Sequence, residues 1–286
     1  MNGIIIFSHN NEYIDYIKIA CASAGYVRRN LSGFDEICLV TDVESLSGNE
    51  ELVNAYFDRV ITIPVPADST MRTYYDTHRD KRAAKFINTN RGNVYDLSPY
   101  YETLVIDCDY FVMTNELDRV WGSKNDFMIT KNYSDICNNK LSNVTKISNT
   151  SIDMYWATLL YFKKSEFTSM LFSMVDIIKN NWQWYYIRYL CNTKLYRNDH
   201  TFSIALHIIT NGNEDIVPRL PIHCLMNSFD TDRIFRIDSP TNILMLTTMN
   251  KKYTSMVRLQ NTDLHIMNKS SIVKNIDKFF EYGVSL

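Results

Sequence analysis

Through the first half of the chain, short apolar runs alternate with stretches of helical periodicity. Residues 4–7, 37–41, 59–63 and 103–106 are runs of four or five residues dominated by Ile, Val, Leu and Phe. That length and composition predict buried strands. The third run is closed by Pro64 and Pro66, and the second and fourth end on Asp42 and Asp107. A helix is predicted over about 12–24, with Asn10 and Asn11 as caps. A basic helix is predicted over 79–87. Strands alternating with helices imply an α/β fold whose central sheet is largely parallel. The second half reads differently. Residues 156–162 predict an aromatic strand, and Phe167, Met170, Leu171, Met174, Ile177 and Ile178 recur at helical spacing. The aromatic stretch 182–186 follows, then a helix over 200–209 entered through Arg197-Asn198-Asp199. Strands are expected at 234–237 and 243–246. A closing helix over 270–282 would bury Ile272, Ile276, Phe279 and Phe280.

Composition narrows the class. The chain has 286 residues, 45% hydrophobic and 22% charged, which suffices for a sizeable core. With 8 Gly and 6 Pro, long linkers are not expected. The net charge of −2 excludes a uniformly cationic nucleic-acid binder, though not a local basic groove. The six cysteines form no CxxC pair, so reduced thiols and a cytoplasmic location are expected. No window reaches the roughly 18 apolar residues of a membrane span, and no signal segment is recognised at the N-terminus.

Ligands of parallel α/β sheets bind beyond the carboxyl ends of the strands. Here those ends carry Ser8-His9-Asn10, Thr41-Asp42 and Asp107-Cys108-Asp109. Carboxylates at i and i+2 of an extended segment point the same way. Two like charges so placed call for a cation, and hard oxygen ligands suit Mg²⁺ or Mn²⁺. Such an ion stabilises a departing diphosphate.

The segment Ser98-Pro99-Tyr100-Tyr101-Glu102-Thr103-Leu104-Val105-Ile106-Asp107-Cys108-Asp109 resembles the DxD segment of GT-A glycosyltransferases, similar to family 8. The match is specific over about a dozen residues, and a looser likeness in element order covers most of the chain. The resemblance implies a Rossmann-like GT-A fold with flanking helices and a C-terminal extension. It would be one domain over 1–286, with a nucleotide-sugar half (about 1–130) and an acceptor half (about 131–286). By the same resemblance, Asp107, Asp109 and His265 would hold Mn²⁺ or Mg²⁺, and Lys269 would reach the diphosphate. The family's Gly and Pro-Trp near that Lys are missing here. Ser8, His9, Asn10 and Asp42 would contact base and ribose, with a helix-capping role for Asn10 as the alternative. Arg79, Arg82 and Lys85, aligned on the expected basic helix, would contact donor phosphate or sugar. Trp156 stands where the family places an acceptor strand, without its usual Asn and Gly. Asp199 would orient hydroxyls or act as general base, with Arg197 beside it on the acceptor side.

These expectations describe transfer from a nucleoside diphosphate sugar, UDP-sugar favoured, with retention weakly preferred. The Asn-, Ile- and Tyr-rich composition resembles that of large phages, where the acceptor is a hydroxymethylated pyrimidine of DNA and the location the host cytoplasm. The aromatic stretch with Arg188, Lys194 and Arg197 would stack an extruded base, or simply pack a core helix. Alternatives are a glycan or protein acceptor, a nucleotidyltransferase, and an inactive sugar-nucleotide-binding protein. A nucleotidyltransferase is disfavoured because Ser8-His9-Asn10-Asn11 lacks the Gly-rich loop expected after a first strand.

Overall fold

The computed structural model describes residues 1–65, 70–75, 81–86, 90–137, 145–249 and 253–283. In chain order the elements begin β1 (Asn2–Phe7), α1 (Tyr16–Asn30), β2 (Glu36–Thr41), α2 (Val43–Leu46), α3 (Glu50–Tyr56) and β3 (Arg59–Thr62). They continue with β4 (Thr70–Tyr75), β5 (Lys81–Phe86), α4 (Val94–Leu97), β6 (Glu102–Asp107), β7 (Tyr110–Phe111), β8 (Phe127–Thr130) and β9 (Tyr133–Asp135). Then come β10 (Trp156–Lys163), α5 (Glu166–Asn180), α6 (Trp182–Arg188), α7 (Asn198–Ile209) and β11 (Leu225–Ser228). The chain closes with β12 (Arg233–Ser239), β13 (Asn242–Met249), β14 (Tyr253–Gln260), β15 (Leu264–Ile266), α8 (Lys269–Lys274) and α9 (Ile276–Gly283).

The central sheet has the order β3-β2-β1-β6-β10-β8. Pairing is parallel from β3 through β6, and β10 runs antiparallel to both β6 and β8. The α/β fold with a mostly parallel sheet is therefore as the sequence pattern predicted. Continuous apolar runs are what a sheet covered on both faces requires. Ile4, Ile6, Leu39, Leu104 and Ile106 enter one core cluster, and Ile5, Phe7, Val40 and Val105 enter the cluster on the opposite face. Strand order reverses about β1, so the carboxyl ends of β1, β2 and β6 open onto one edge.

A second sheet, β7-β15-β11-β9, stands at that edge. Phe111, Leu264 and Ile266 on one face enter a third cluster with Ile19, Tyr26 and Phe279. The antiparallel meander β12-β13-β14 is inserted between β11 and β15 and packs on the same cluster.

Three expectations change. The first helix begins at Tyr16, because Asn11 accepts from the amides of Tyr13 and Ile14 and forms a turn; Asp15 is the cap, accepting from Lys18 N. The helix expected over 79–87 is not formed: β5 pairs antiparallel with β4. The closing helix breaks at Asn275, whose amide donates to Ser271 O and satisfies a carbonyl at the end of α8. Strands β7, β9, β11 and β15 are two to four residues long, too short to show a period of two.

Candidate metal and nucleotide site

β6 delivers Asp107 to the open edge, and the chain then turns tightly through Cys108 into β7. Cys108 is buried and its thiol is pushed up to about 12, chiefly by that burial. This is the behaviour of a small core side chain. Because β7 pairs with β15, Tyr110 lies opposite His265, and Ile266 N donates to Asp109 O at 2.9 Å. A separation of more than 150 residues is thereby closed by two short strands.

His265 Nε2 lies 3.2 Å from Asp109 Oδ1, and Lys269 forms an ion pair with the other carboxylate oxygen. Lys269 opens α8, whose cap Asn268 accepts from Ser271 N and donates to Asp230 O. Burial opposes ionisation of Asp109, but the charges of Lys269 and His265 outweigh it and hold the carboxyl well below its usual range. One donor atom from each of Asp107, Asp109 and His265 falls within 4.8 Å of the others. Two hard carboxylate oxygens and an imidazole nitrogen suit Mn²⁺ or Mg²⁺. His265 Nδ1 is buried and has no hydrogen-bond partner among the described residues, so none of them fixes that ring from behind.

Asp107 is held by Arg91, a residue that the sequence patterns did not single out. Arg91 lies in a 3-10 turn over Asn90–Asn93 and is buried. Its guanidinium makes a two-point ion pair with Asp107, with Nη1 3.2 Å from Oδ2, and Nη1 also donates to Ala157 O at 2.5 Å. Burial lowers the pKa of this guanidinium, opposed by the nearby carboxylates of Asp199 and Asp109. The available sequence signal was weak: one arginine followed by Gly92. A Cβ at Gly92 would meet Val175 at 3.0 Å, so the small residue lets the turn sit against α5.

Arg79 lies outside the described residues. Arg82 and Lys85 fall on β5, so the helix that was to align the three basic residues is absent. Arg91 supplies the buried cation beside the carboxylates instead.

At the ends of β1 and β2, His9 Nδ1 lies 2.7 Å from Asp42 Oδ2. Asp42 also caps α2, accepting from Ser45 N at 2.8 Å and Ser45 Oγ at 2.7 Å. Asn10 accepts from Ile17 N at 3.0 Å, so its side chain is used in holding the start of α1. Ser8 Oγ, His9 Nε2 and Thr41 Oγ1 are buried with no hydrogen-bond partner among the described residues. Buried polar groups are ordinarily paired, and three unpaired atoms at one sheet edge mark where a polar ligand or water sits.

Asp199 does not cap α7. Its carboxylate accepts from Ala157 N at 2.9 Å and from Arg197 Nη2 at 2.8 Å. Burial raises its pKa, but Arg197 and these hydrogen bonds lower it further, and the net shift is downward. The Ala157 bond ties Asp199 to the residue that Arg91 also contacts. Trp156 is buried and stacks on Tyr133 with ring centroids 4.9 Å apart. The aromatic stretch forms α6, which buries none of its residues fully: Trp184 and Ile187 are exposed, and Trp182 Nε1 donates to Lys194 O. Trp182 and Tyr185 pack from its inner side against the second core cluster, and the Trp182 ring meets those of Tyr196 and His200, the sequence neighbours of Arg197 and Asp199.

No family model matches the chain, and no curated protein does. Solved structures align with it at low identity. Apo glycosyltransferase GlyE of Streptococcus pneumoniae TIGR4 gives 13% identity, 76% of this chain and 44% of that one, with a TM-score of 0.40. Mouse xyloside xylosyltransferase 1, apo form, gives 12% identity, 74% and 83% coverage, and a TM-score of 0.46. Galactosyltransferase LgtC in complex with donor and acceptor sugar analogs gives 13% identity, 71% and 70% coverage, and a TM-score of 0.41. The chain thus spans less than half the length of GlyE.

Proposed function

We propose that the chain is a metal-dependent glycosyltransferase of GT-A type that draws its sugar from a nucleoside diphosphate donor. The observation that carries this reading is the site at the carboxyl end of β6. Asp107, Asp109 and His265 gather a metal-ligand set between two cations, Arg91 and Lys269. Acidic ligands flanked by cations match a group that binds as a divalent ion plus a diphosphate. When bound, the ion would supply Lewis-acid stabilisation of the diphosphate leaving group.

The chain's own residues divide the remaining work. Lys269 and Arg91 are positioned to meet phosphate oxygens and donor hydroxyls once released from their carboxylates, a preorganised electrostatic contribution. Ser8, Thr41 and His9 offer unpaired polar atoms to base and ribose. Asp42, bonded to His9 Nδ1, fixes the ring so that Nε2 is the nitrogen left for base or ribose. UDP is the nucleotide carried to the test. Asp199, with a depressed pKa and both oxygens engaged, is a poor proton acceptor at neutral pH. It suits orienting hydroxyls better than general-base catalysis, which favours retention over inversion. No described helix is long and apolar enough to cross a membrane.

The test is hydrolysis of UDP-glucose, UDP-galactose, UDP-N-acetylglucosamine and UDP-xylose with and without Mn²⁺. At least one donor is expected to be hydrolysed only with the metal, and Asp109→Asn to lose that activity. Hydrolysis that persists in Asp109→Asn, or no metal-dependent turnover of any donor, overturns the reading.

A further inference from the structure

Helix α5 is apolar on two faces. Leu171, Phe172, Val175 and Ile178 are buried and belong to the second core cluster. A surface helix needs only one such stripe. Yet Phe167, Met170, Met174 and Ile177 form another, at steps of three, four and three residues, which is the a/d spacing of a helix-pairing seam. Met170 is 51% exposed and Ile177 47%. Only Asn181 separates α5 from α6; its amide donates to Ile177 O, and Tyr185 N donates to Asn181 O, so the helices run nearly end to end. One heptad beyond Ile177 the spacing reaches Trp184, which is 59% exposed, and Ile187 follows at 57%.

At the other end of the stripe, Phe167 lines a groove of about 330 Å³ with Phe127, Ile209, Val217 and the exposed Ile216. Monomers rarely leave contiguous apolar patches larger than a few hundred Å². Phe167, Met170, Ile177, Trp184, Ile187 and Ile216 are each exposed by about half. With roughly 150–250 Å² to a large side chain, they present roughly 600 Å² of apolar surface on one copy. Two such faces together reach the roughly 1,200 Å² at which specific interfaces begin.

The spacing identifies the occupant, because three-four-three reads the same when the helix is reversed. A second α5 laid antiparallel across a two-fold axis near Ser173 sets its Ile177 against Phe167 and its Met174 against Met170. The same patch then serves both copies, as a closed dimer requires. Charge selects the direction. A parallel second helix would oppose Glu166 to Glu166, whereas the antiparallel one opposes Glu166 to Asn180 and aligns the helix dipoles favourably. It also carries Trp184 of one copy toward the end of the other where Phe167 and its groove lie. We propose that a second copy of this chain covers this face, with α5 packed antiparallel on α5. The proposal is independent of the transferase reading, since it involves none of the site residues and is tested without donor or metal.

Sedimentation velocity of the full chain from about 1 to about 100 µM, the range suited to an interface of this size, is expected to show a monomer passing to a dimer. Met170→Glu and Ile177→Lys are each expected to weaken association at least tenfold. Both positions are exposed, so the circular dichroism spectrum should stay as in the wild type. Ser173 is exposed beside the two-fold axis, and its hydroxyl bonds only the backbone of its own helix, at Ser169 O. Ser173→Cys is therefore expected to form a disulfide between copies on mild oxidation, while Asp176→Cys, one turn further from the axis, does not. A wild type that stays monomeric overturns the proposal; if that monomer also floats with phosphatidylcholine vesicles, the face is a membrane contact instead. A dimer that withstands both Met170→Glu and Ile177→Lys uses another surface and overturns it equally. A dimer in which Ser173→Cys fails to crosslink, or crosslinks no better than Asp176→Cys, refutes the antiparallel arrangement.

Discussion

Arg91→Met isolates the pair that the sequence patterns missed. The arginine side chain is 5% exposed and that of Asp107 17%, so the ion pair is shielded from water. Methionine preserves length and removes the charge, leaving Asp107 uncompensated two residues from Asp109. Removing one partner of a buried pair destabilises by about 3–5 kcal/mol. For a chain of this size about 4 kcal/mol corresponds to a fall in Tm on the order of 10 °C. Asp107→Asn alone should also destabilise, because the guanidinium keeps only Ala157 O. The double variant should recover part of both losses, giving a coupling energy of about 1–3 kcal/mol. Urea unfolding followed by circular dichroism, in EDTA so that no metal intervenes, measures all four corners of the cycle. Single variants that each cost under about 1 kcal/mol and add within about 0.5 kcal/mol would refute the pairing as a structural element of the site.

Two further outcomes are expected. His265→Ala should weaken Mn²⁺ binding and lower donor turnover by roughly 10²-fold, equivalent to about 3 kcal/mol in the barrier; unchanged Mn²⁺ titration would remove His265 from the ligand set. Asp263 accepts from the amides of Met113 and Thr114, yet burial outweighs those bonds and raises its carboxyl to about 6 from an ordinary 3.8. A raised folded pKa means that the native state holds the extra proton, so this contribution to stability is full below about pH 4 and lost as pH rises through about 6. Asp263→Asn should flatten the stability profile across that window by up to about 1.4 kcal/mol per pH unit, and a profile identical to wild type would contradict the burial argument.

What the sequence made legible follows from the length of each signal. The central strands announced themselves because residues covered on both faces are apolar without interruption, as in Ile4-Ile5-Ile6-Phe7. The DxD turn was legible because its two carboxylates interrupt such a run. His265 could be suggested but not placed: the strand that brings it to Asp109 is three residues long, and its pairing spans more than 150 positions. Arg91 was illegible for a different reason. One arginine in a four-residue 3-10 turn carries no periodicity, while Arg79, Arg82 and Lys85 mimic a helical stripe over residues that include a strand. The role of Asp199 was half legible. Its position at the start of α7 fits a cap, and only the structure shows the carboxylate turned back to Ala157 N.

The same electrostatics lead to a final expectation about how the ligands bind. Without ligands, Asp109 is neutralised by Lys269 and Asp107 by Arg91. A divalent ion arriving alone must displace these cations, which then lose their partners in a buried site. A diphosphate arriving alone meets both carboxylates at close range, and like charges there are repelled. Arriving together, the ion takes the carboxylates while Lys269 and Arg91 turn to the phosphates, and every charge keeps a partner. Mn²⁺ and UDP should therefore bind cooperatively, each tightening the other at least tenfold, about 1.4 kcal/mol of coupling, and by equal factors because linkage is reciprocal. Lys269→Met should bind Mn²⁺ alone more tightly than wild type, since the competing ammonium is gone, yet show less of the coupling. Calorimetric titrations of Mn²⁺ with and without UDP measure both quantities. Equal Mn²⁺ affinity in the two titrations, or weaker Mn²⁺ binding by Lys269→Met, would show that the ion pairs do not compete with the metal.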